Sequence, residues 1–137
     1  MISNLSKSEE INVLASDENW AWPAAVETIF RPRNVNLLIA RSTSEFVNII
    51  EHKRIHTTIL DVDTEVSGAL TTIRMLRMKA PLLPCILLTP GEHEDILSKA
   101  LELNVFSVIY KPVKMELLRE QLNRLFRKKY NSDIFEV

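Results

Sequence analysis

Residues 57–63 read Thr57-Thr58-Ile59-Leu60-Asp61-Val62-Asp63, a short β-prone run that stops on two carboxylates. A strand covered on both faces reads as such a run, and it ends on acids where the chain meets solvent. Working outward from it, with the strand itself taken as Thr57–Val62, four more runs of about the same length and character stand out: Ile11–Ser16, Val35–Ala40, Pro84–Thr89 and Val105–Tyr110. The segments between them have helical period. One over about 20–31 carries Val26, Ile29 and Phe30 on one face. The next opens on Ser42-Thr43-Ser44-Glu45, a capping-box spacing, and then groups Phe46, Ile49 and Ile50. A third, about 68–79, lines up Leu70, Ile73 and Leu76, and a fourth, about 92–103, lines up Ile96, Leu97, Ala100 and Leu101. The last, about 114–129, carries Leu118, Leu122, Leu125 and Phe126. Five strands alternating with five helices predict one α/β domain, a doubly wound five-stranded parallel sheet over 11–129. Residues 1–10 form a polar lead-in and 130–137 a C-terminal tail.

Composition removes several function classes. The chain has 137 residues, enough for one domain with a substantial core. Lys plus Arg is 17 against Asp plus Glu at 18, so there is no global pull toward nucleic acid or an anionic membrane. The only two glycines, Gly68 and Gly91, are too far apart for a Walker loop or a dinucleotide-binding turn. Cys85 is the single cysteine, which excludes an internal disulfide and a thiolate zinc cluster and suits a reducing compartment. No apolar run approaches the roughly 18 residues of a membrane span, and the N-terminus lacks an apolar signal core. A cytoplasmic protein is expected, with no membrane partner and no direct nucleic-acid contact.

Open parallel sheets bind ligands beyond the carboxyl ends of their strands. Those ends carry Ser16-Asp17-Glu18, Asp61-Val62-Asp63, Thr89-Pro90 and Tyr110-Lys111-Pro112. Crowded carboxylates repel one another unless a hard cation sits among them. A hydroxyl and a lysine beside such a cation are what a phosphoryl group requires.

These fragments, NVLASDE at 12–18, TTILD at 57–61, CILLT at 85–89 and VIYKP at 108–112, resemble the receiver domain of two-component response regulators. The resemblance spans about 11–129, and the spacings of 44, 28 and 22 residues along Asp17, Asp61, Thr89 and Lys111 are receiver-like. It implies a flavodoxin-like (βα)5 fold with strand order 2-1-3-4-5, and a signalling switch whose own chemistry is at most self-phosphotransfer and autodephosphorylation. Position by position, it implies that Asp61 is the phosphoacceptor, that Lys111 pairs with the phosphoryl oxygens, and that Thr89 donates its hydroxyl to one of them. Mg²⁺ would be held by Asp17, Asp61 and the backbone carbonyl of Asp63, with Glu18 a further candidate. The implied partners are a histidine kinase or phosphotransfer protein, and a second copy of the chain through the fourth helix, last strand and last helix. The Lys111–Pro112 bond is expected to be cis.

Four departures accompany the resemblance. Ser16 stands where the family usually has a second acid, which implies weaker Mg²⁺ binding. Pro90 has no N–H to offer the phosphoryl group, a loss worth roughly 2.7–4 kcal/mol where such donors have been removed elsewhere. Val108 occupies the place of a common aromatic, and strand alternation puts Phe106 and Tyr110 on its face. Thr64-Glu65 replaces a frequent Met-Pro pair. A phosphorylation-independent pseudo-receiver, acting as an interaction or dimerisation module, is therefore the alternative. A haloacid-dehalogenase-like phosphatase, suggested by Asp61-Val62-Asp63, is remote because that family places its acids on the first strand.

The remaining features read as structural. His52, His56 and His93 share no metal-ligand spacing and are expected at the surface. Arg124, Arg127, Lys128 and Lys129 end the last helix, where cations complement its dipole. Trp20 and Trp22 are expected to pack or lie exposed beside the first helix.

Overall fold

The structure is a computed structural model; it describes residues 10–16, 23–62, 66–90 and 94–137, and of 23, 24, 66, 67 and 94–96 the backbone alone. Asp17, Glu18, Asp63, Trp20, Trp22 and His93 fall outside the described residues, as does the side chain of Ile96. The strands are β1 (Ile11–Ser16), β2 (Val35–Ala40), β3 (Thr57–Asp61), β4 (Cys85–Thr89) and β5 (Ser107–Tyr110). They form one sheet in the order β2-β1-β3-β4-β5, and every neighbouring pair is parallel. The helices are α1 (Pro23–Phe30), α2 (Thr43–His52), α3 (Val66–Lys79), α4 (Glu94–Glu102) and α5 (Met115–Tyr130).

Two apolar layers sandwich the sheet. Alternate residues of β1, Val13 and Ala15, turn to the layer that α1 and α5 complete with Val26, Phe30, Leu118, Leu122 and Phe126. Leu14, Leu60 and Leu87 turn the other way, onto Phe46 of α2, Ile73 and Leu76 of α3 and Ala100 of α4. Ser42 caps α2 as its spacing predicts: the Glu45 amide donates to Ser42 Oγ at 3.1 Å. The segment after α5 packs back on the domain. Phe135 is buried between Phe30 and Phe126, with ring centroids 5.7 and 4.9 Å away. Arg33 and Arg119 donate to the carbonyls of Ile134 and Phe135 at 3.0 and 2.6 Å.

Three expectations change. The regular pleat of β5 begins at Ser107, two residues late, because the Val105 amide turns back to the Ala100 carbonyl at 3.1 Å. Phe106 therefore packs on the α1/α5 layer while Val108 packs on the other, so the two do not share a face. Tyr110 lies half exposed at the end of the strand. On α4, Ala100 is buried, but Leu97 and Leu101 are exposed: nine residues seat one narrow stripe on α3 and the sheet, and these leucines flank it. His56 is fully buried at the start of β3 instead of lying on the surface. The reason is a set of partners distant in sequence, Asn12 of β1 and Tyr130 of α5.

Candidate functional site

Parallel register brings four of the sequence-selected residues to one edge. β1 pairs with β3 through Ala15 and Ile59, and β3 pairs with β4 through Asp61 and Leu88. β4 pairs with β5 through Thr89 and Tyr110, one residue before Lys111. Ser16, Asp61, Thr89 and Lys111 thus end four adjacent strands on the carboxyl side of the sheet.

Asp61 is 4% exposed, and the ammonium group of Lys111 lies in direct contact with its Oδ1. Lys111 Nζ also donates to the Val62 carbonyl at 3.1 Å, and its backbone amide donates to the Thr89 carbonyl at 2.8 Å. The lysine is held at both ends, with its head group between a carboxylate and a main-chain oxygen. The Lys111–Pro112 bond is cis, as expected. Thr89 is buried at the end of β4. A carboxylate taken out of water needs such a counter-charge, because desolvation without one costs several kcal/mol.

Ser16 has a role that sequence reading did not assign. Its Oγ accepts the Asp61 backbone N–H at 2.9 Å, so the residue replacing a second acid pins the main chain of the carboxylate. Beside this pair opens a small cavity of about 70 Å³ lined by Ser16, Arg41, Ser42, Asp61, Gly68 and Thr72. It gives Asp61 a polar approach from the α2/α3 side. Among the described residues no group of three or more His, Cys, Asp or Glu side chains comes together. The described candidate ligand is the buried Asp61 carboxylate, a hard oxygen donor of the kind that Mg²⁺ takes.

The opposite edge holds a second buried polar cluster. His56 Nδ1 accepts the Asn12 backbone N–H at 3.2 Å, and Asn12 Nδ2 donates to the Arg54 carbonyl at 2.8 Å. The Tyr130 hydroxyl donates to the His56 carbonyl, and the two rings meet edge to face at 5.4 Å. Burial, aided by the nearby Arg54 charge, pushes the His56 imidazole down to about 4. Burial likewise pushes the Tyr130 phenol up to about 12 and the Cys85 thiol up to about 11. All three stay neutral near pH 7, so none is poised for catalysis there.

Comparison with known proteins agrees with the fold. The sequence matches the response regulator receiver domain over residues 13–123, and the chain belongs to that family. Solved structures share the fold. The chemotaxis protein CheY4 of Vibrio cholerae is 19% identical with a TM-score of 0.74, covering 85% of this chain and 99% of that one. A CheY-like receiver domain protein from Methanospirillum hungatei is 17% identical with a TM-score of 0.77, covering 88% and 96%. The signal receiver domain of an HD domain-containing protein from Pseudomonas fluorescens is 16% identical with a TM-score of 0.78, covering 90% and 92%. Comparison with curated proteins returns no match. Receiver domains bind Mg²⁺ at their phosphorylation site and interact with histidine kinases or phosphotransfer proteins. Among the described residues no helix is long and apolar enough to cross a membrane.

Proposed function

We propose that this receiver domain accepts a phosphoryl group on Asp61 from the phosphohistidine of a histidine kinase or phosphotransfer protein. The observation that supports this most is the buried Asp61 carboxylate at the end of β3 with the Lys111 ammonium group against it. An oxygen of Asp61 attacks phosphorus, the new O–P bond forms as the P–N bond breaks, and the electron pair leaves with the imidazole nitrogen. Lys111 moves from the carboxylate to the incoming phosphoryl oxygens and keeps a cation beside the charge that develops there. Ser16 holds the Asp61 backbone so that the carboxylate does not retreat. Thr89 donates its hydroxyl to a phosphoryl oxygen. Asp17, Asp61 and the Asp63 carbonyl would hold Mg²⁺, with Glu18 beside them, and the ion neutralises phosphoryl charge when bound. Ser16 in place of an acid makes that binding weaker.

The readout in this proposal is the face of α4, β5 and α5. These elements carry exposed Leu97, Tyr110 and Leu117, which suits a face that meets a partner or a second copy in the cytoplasm. The test is intact-mass analysis after incubation with acetyl phosphate and Mg²⁺. The expected result is the gain of one phosphoryl group, absent without the metal and absent in Asp61→Asn. An unmodified wild-type chain at millimolar Mg²⁺ would overturn the proposal and leave a pseudo-receiver that works through binding alone.

A further inference from the structure

The edge of the sheet opposite Asp61 carries a surface that phosphotransfer does not use. Its centre is Leu82 in the α3–β4 connection, 92% exposed, with Leu101 of α4 62% exposed nearby along one groove. An aliphatic side chain so exposed on a loop is ordinarily a cost of disorder, but this loop is braced. The Leu83 amide donates to the Ala80 carbonyl at 3.1 Å. The Arg77 guanidinium donates to the carbonyls of Leu83, Leu103 and Asn104 at 2.6, 2.7 and 3.1 Å. One arginine thereby clamps the α3–β4 and α4–β5 connections together and holds the backbone beside Leu82, which lowers the ordering cost of binding there.

A groove opens on each side of Leu82. One, about 510 Å³, runs past Leu101 to the end of α5; the other, about 590 Å³, runs past the end of α2 to Tyr130. Their rims carry Lys53, Arg124, Lys128 and Lys129, besides Arg54 and the clamping Arg77. Among the described residues neither groove is lined by an aspartate or glutamate. In a chain whose charges nearly cancel, this is a marked segregation of cations around an apolar centre. The helix dipole accounts for the cations, since Lys128 and Lys129 end α5 and Lys53 caps the C-terminus of α2, but not for the exposed Leu82 set among them.

We infer that this edge is a docking site for an acidic segment of a partner protein that carries apolar side chains among its carboxylates. The carboxylates meet the cationic rim, and the apolar side chains enter the grooves beside Leu82 and Leu101. Charge complementarity of this kind raises the encounter rate and sets the partner, while the buried apolar anchor holds the complex. A nucleic-acid backbone would satisfy the cations but leave Leu82 and Leu101 without an apolar partner. A flat bilayer would touch Leu82 and leave the grooves unfilled. The site lies at the end of the sheet away from Asp61, so a partner held there leaves the phosphoacceptor open to its donor.

The test is amide NMR of the whole chain titrated with a synthetic peptide of glutamates and aspartates around two leucines and a phenylalanine. The expected shifts are saturable and cluster on 81–84, 101–106 and 124–130. Leu82→Ser weakens binding at least about fivefold, and Arg124→Glu with Lys128→Glu at least about tenfold. Leu82 supports no core packing, so an unchanged melting temperature in Leu82→Ser separates binding from folding. The inference is overturned if no saturable shifts appear at millimolar peptide, or if a glutamate-only peptide of equal charge binds as well. It is equally overturned if duplex DNA or phosphatidylserine vesicles bind more tightly through the same residues, or if these residues respond only to self-association.

Discussion

The two edges of the sheet each bury a polar cluster, and they are built for opposite electrical lives. At the carboxyl edge an ion pair, Asp61 and Lys111, buries its carboxylate and leaves its cation a quarter exposed. At the amino edge Asn12, His56 and Tyr130 close a neutral network in which donors meet acceptors across 42 to 74 residues of chain. The same device, polar groups tucked beneath the ends of strands, makes an ion pair open to solvent when a partly exposed cation is included. It makes a brace when every group is satisfied by a fixed dipole.

The largest effect that would break this contrast is on phosphoryl uptake. Lys111→Ala is expected to slow modification of Asp61 by acetyl phosphate about a hundredfold or more, since it removes the cation set against the developing charge. A rate within a few-fold of wild type, followed by intact mass, would mean that Lys111 is as structural as His56.

The next is the pH dependence of stability. His56 has a folded pKa of about 4 against an ordinary 6.5, so the unfolded chain binds its proton more readily. The stabilisation is therefore complete above pH 6.5 and is lost as the pH falls toward 4, by about 3 kcal/mol at most. Urea denaturation at pH 7 and pH 4.5 should show this loss in the wild type and a flatter profile in His56→Gln.

The smallest pair sharpens the comparison from both sides. Tyr130→Phe removes one hydroxyl from the brace and should cost about 1 kcal/mol without altering phosphoryl uptake. Ser16→Ala removes the side-chain acceptor of the Asp61 amide at a similar cost of about 1 kcal/mol, and in addition slows uptake. Equal uptake in the two variants would show that Ser16 does not position the carboxylate.

The architecture was legible because it depends on pattern. Five β-prone runs alternating with amphipathic helices leave few topologies, and acids at strand ends together with Lys111 marked the candidate edge. The reading faltered where local pattern and global packing diverge. Leu97 and Leu101 have core-like spacing, yet α4 seats only a narrow stripe. Phe106 obeys strand alternation only if the strand begins where the apolar run does, and a backbone bond from Val105 to Ala100 delays it.

What the sequence by itself determined is the order of elements, the parallel sheet and the side chains available at its carboxyl edge, since period and residue type act within a few residues. Tertiary structure alone decided that Ser16 grips the Asp61 amide, that His56 is buried under Tyr130, and that cations from α2 and α5 surround Leu82. Each of these joins residues dozens of positions apart, and no local spacing encodes a contact that exists only after the sheet has closed.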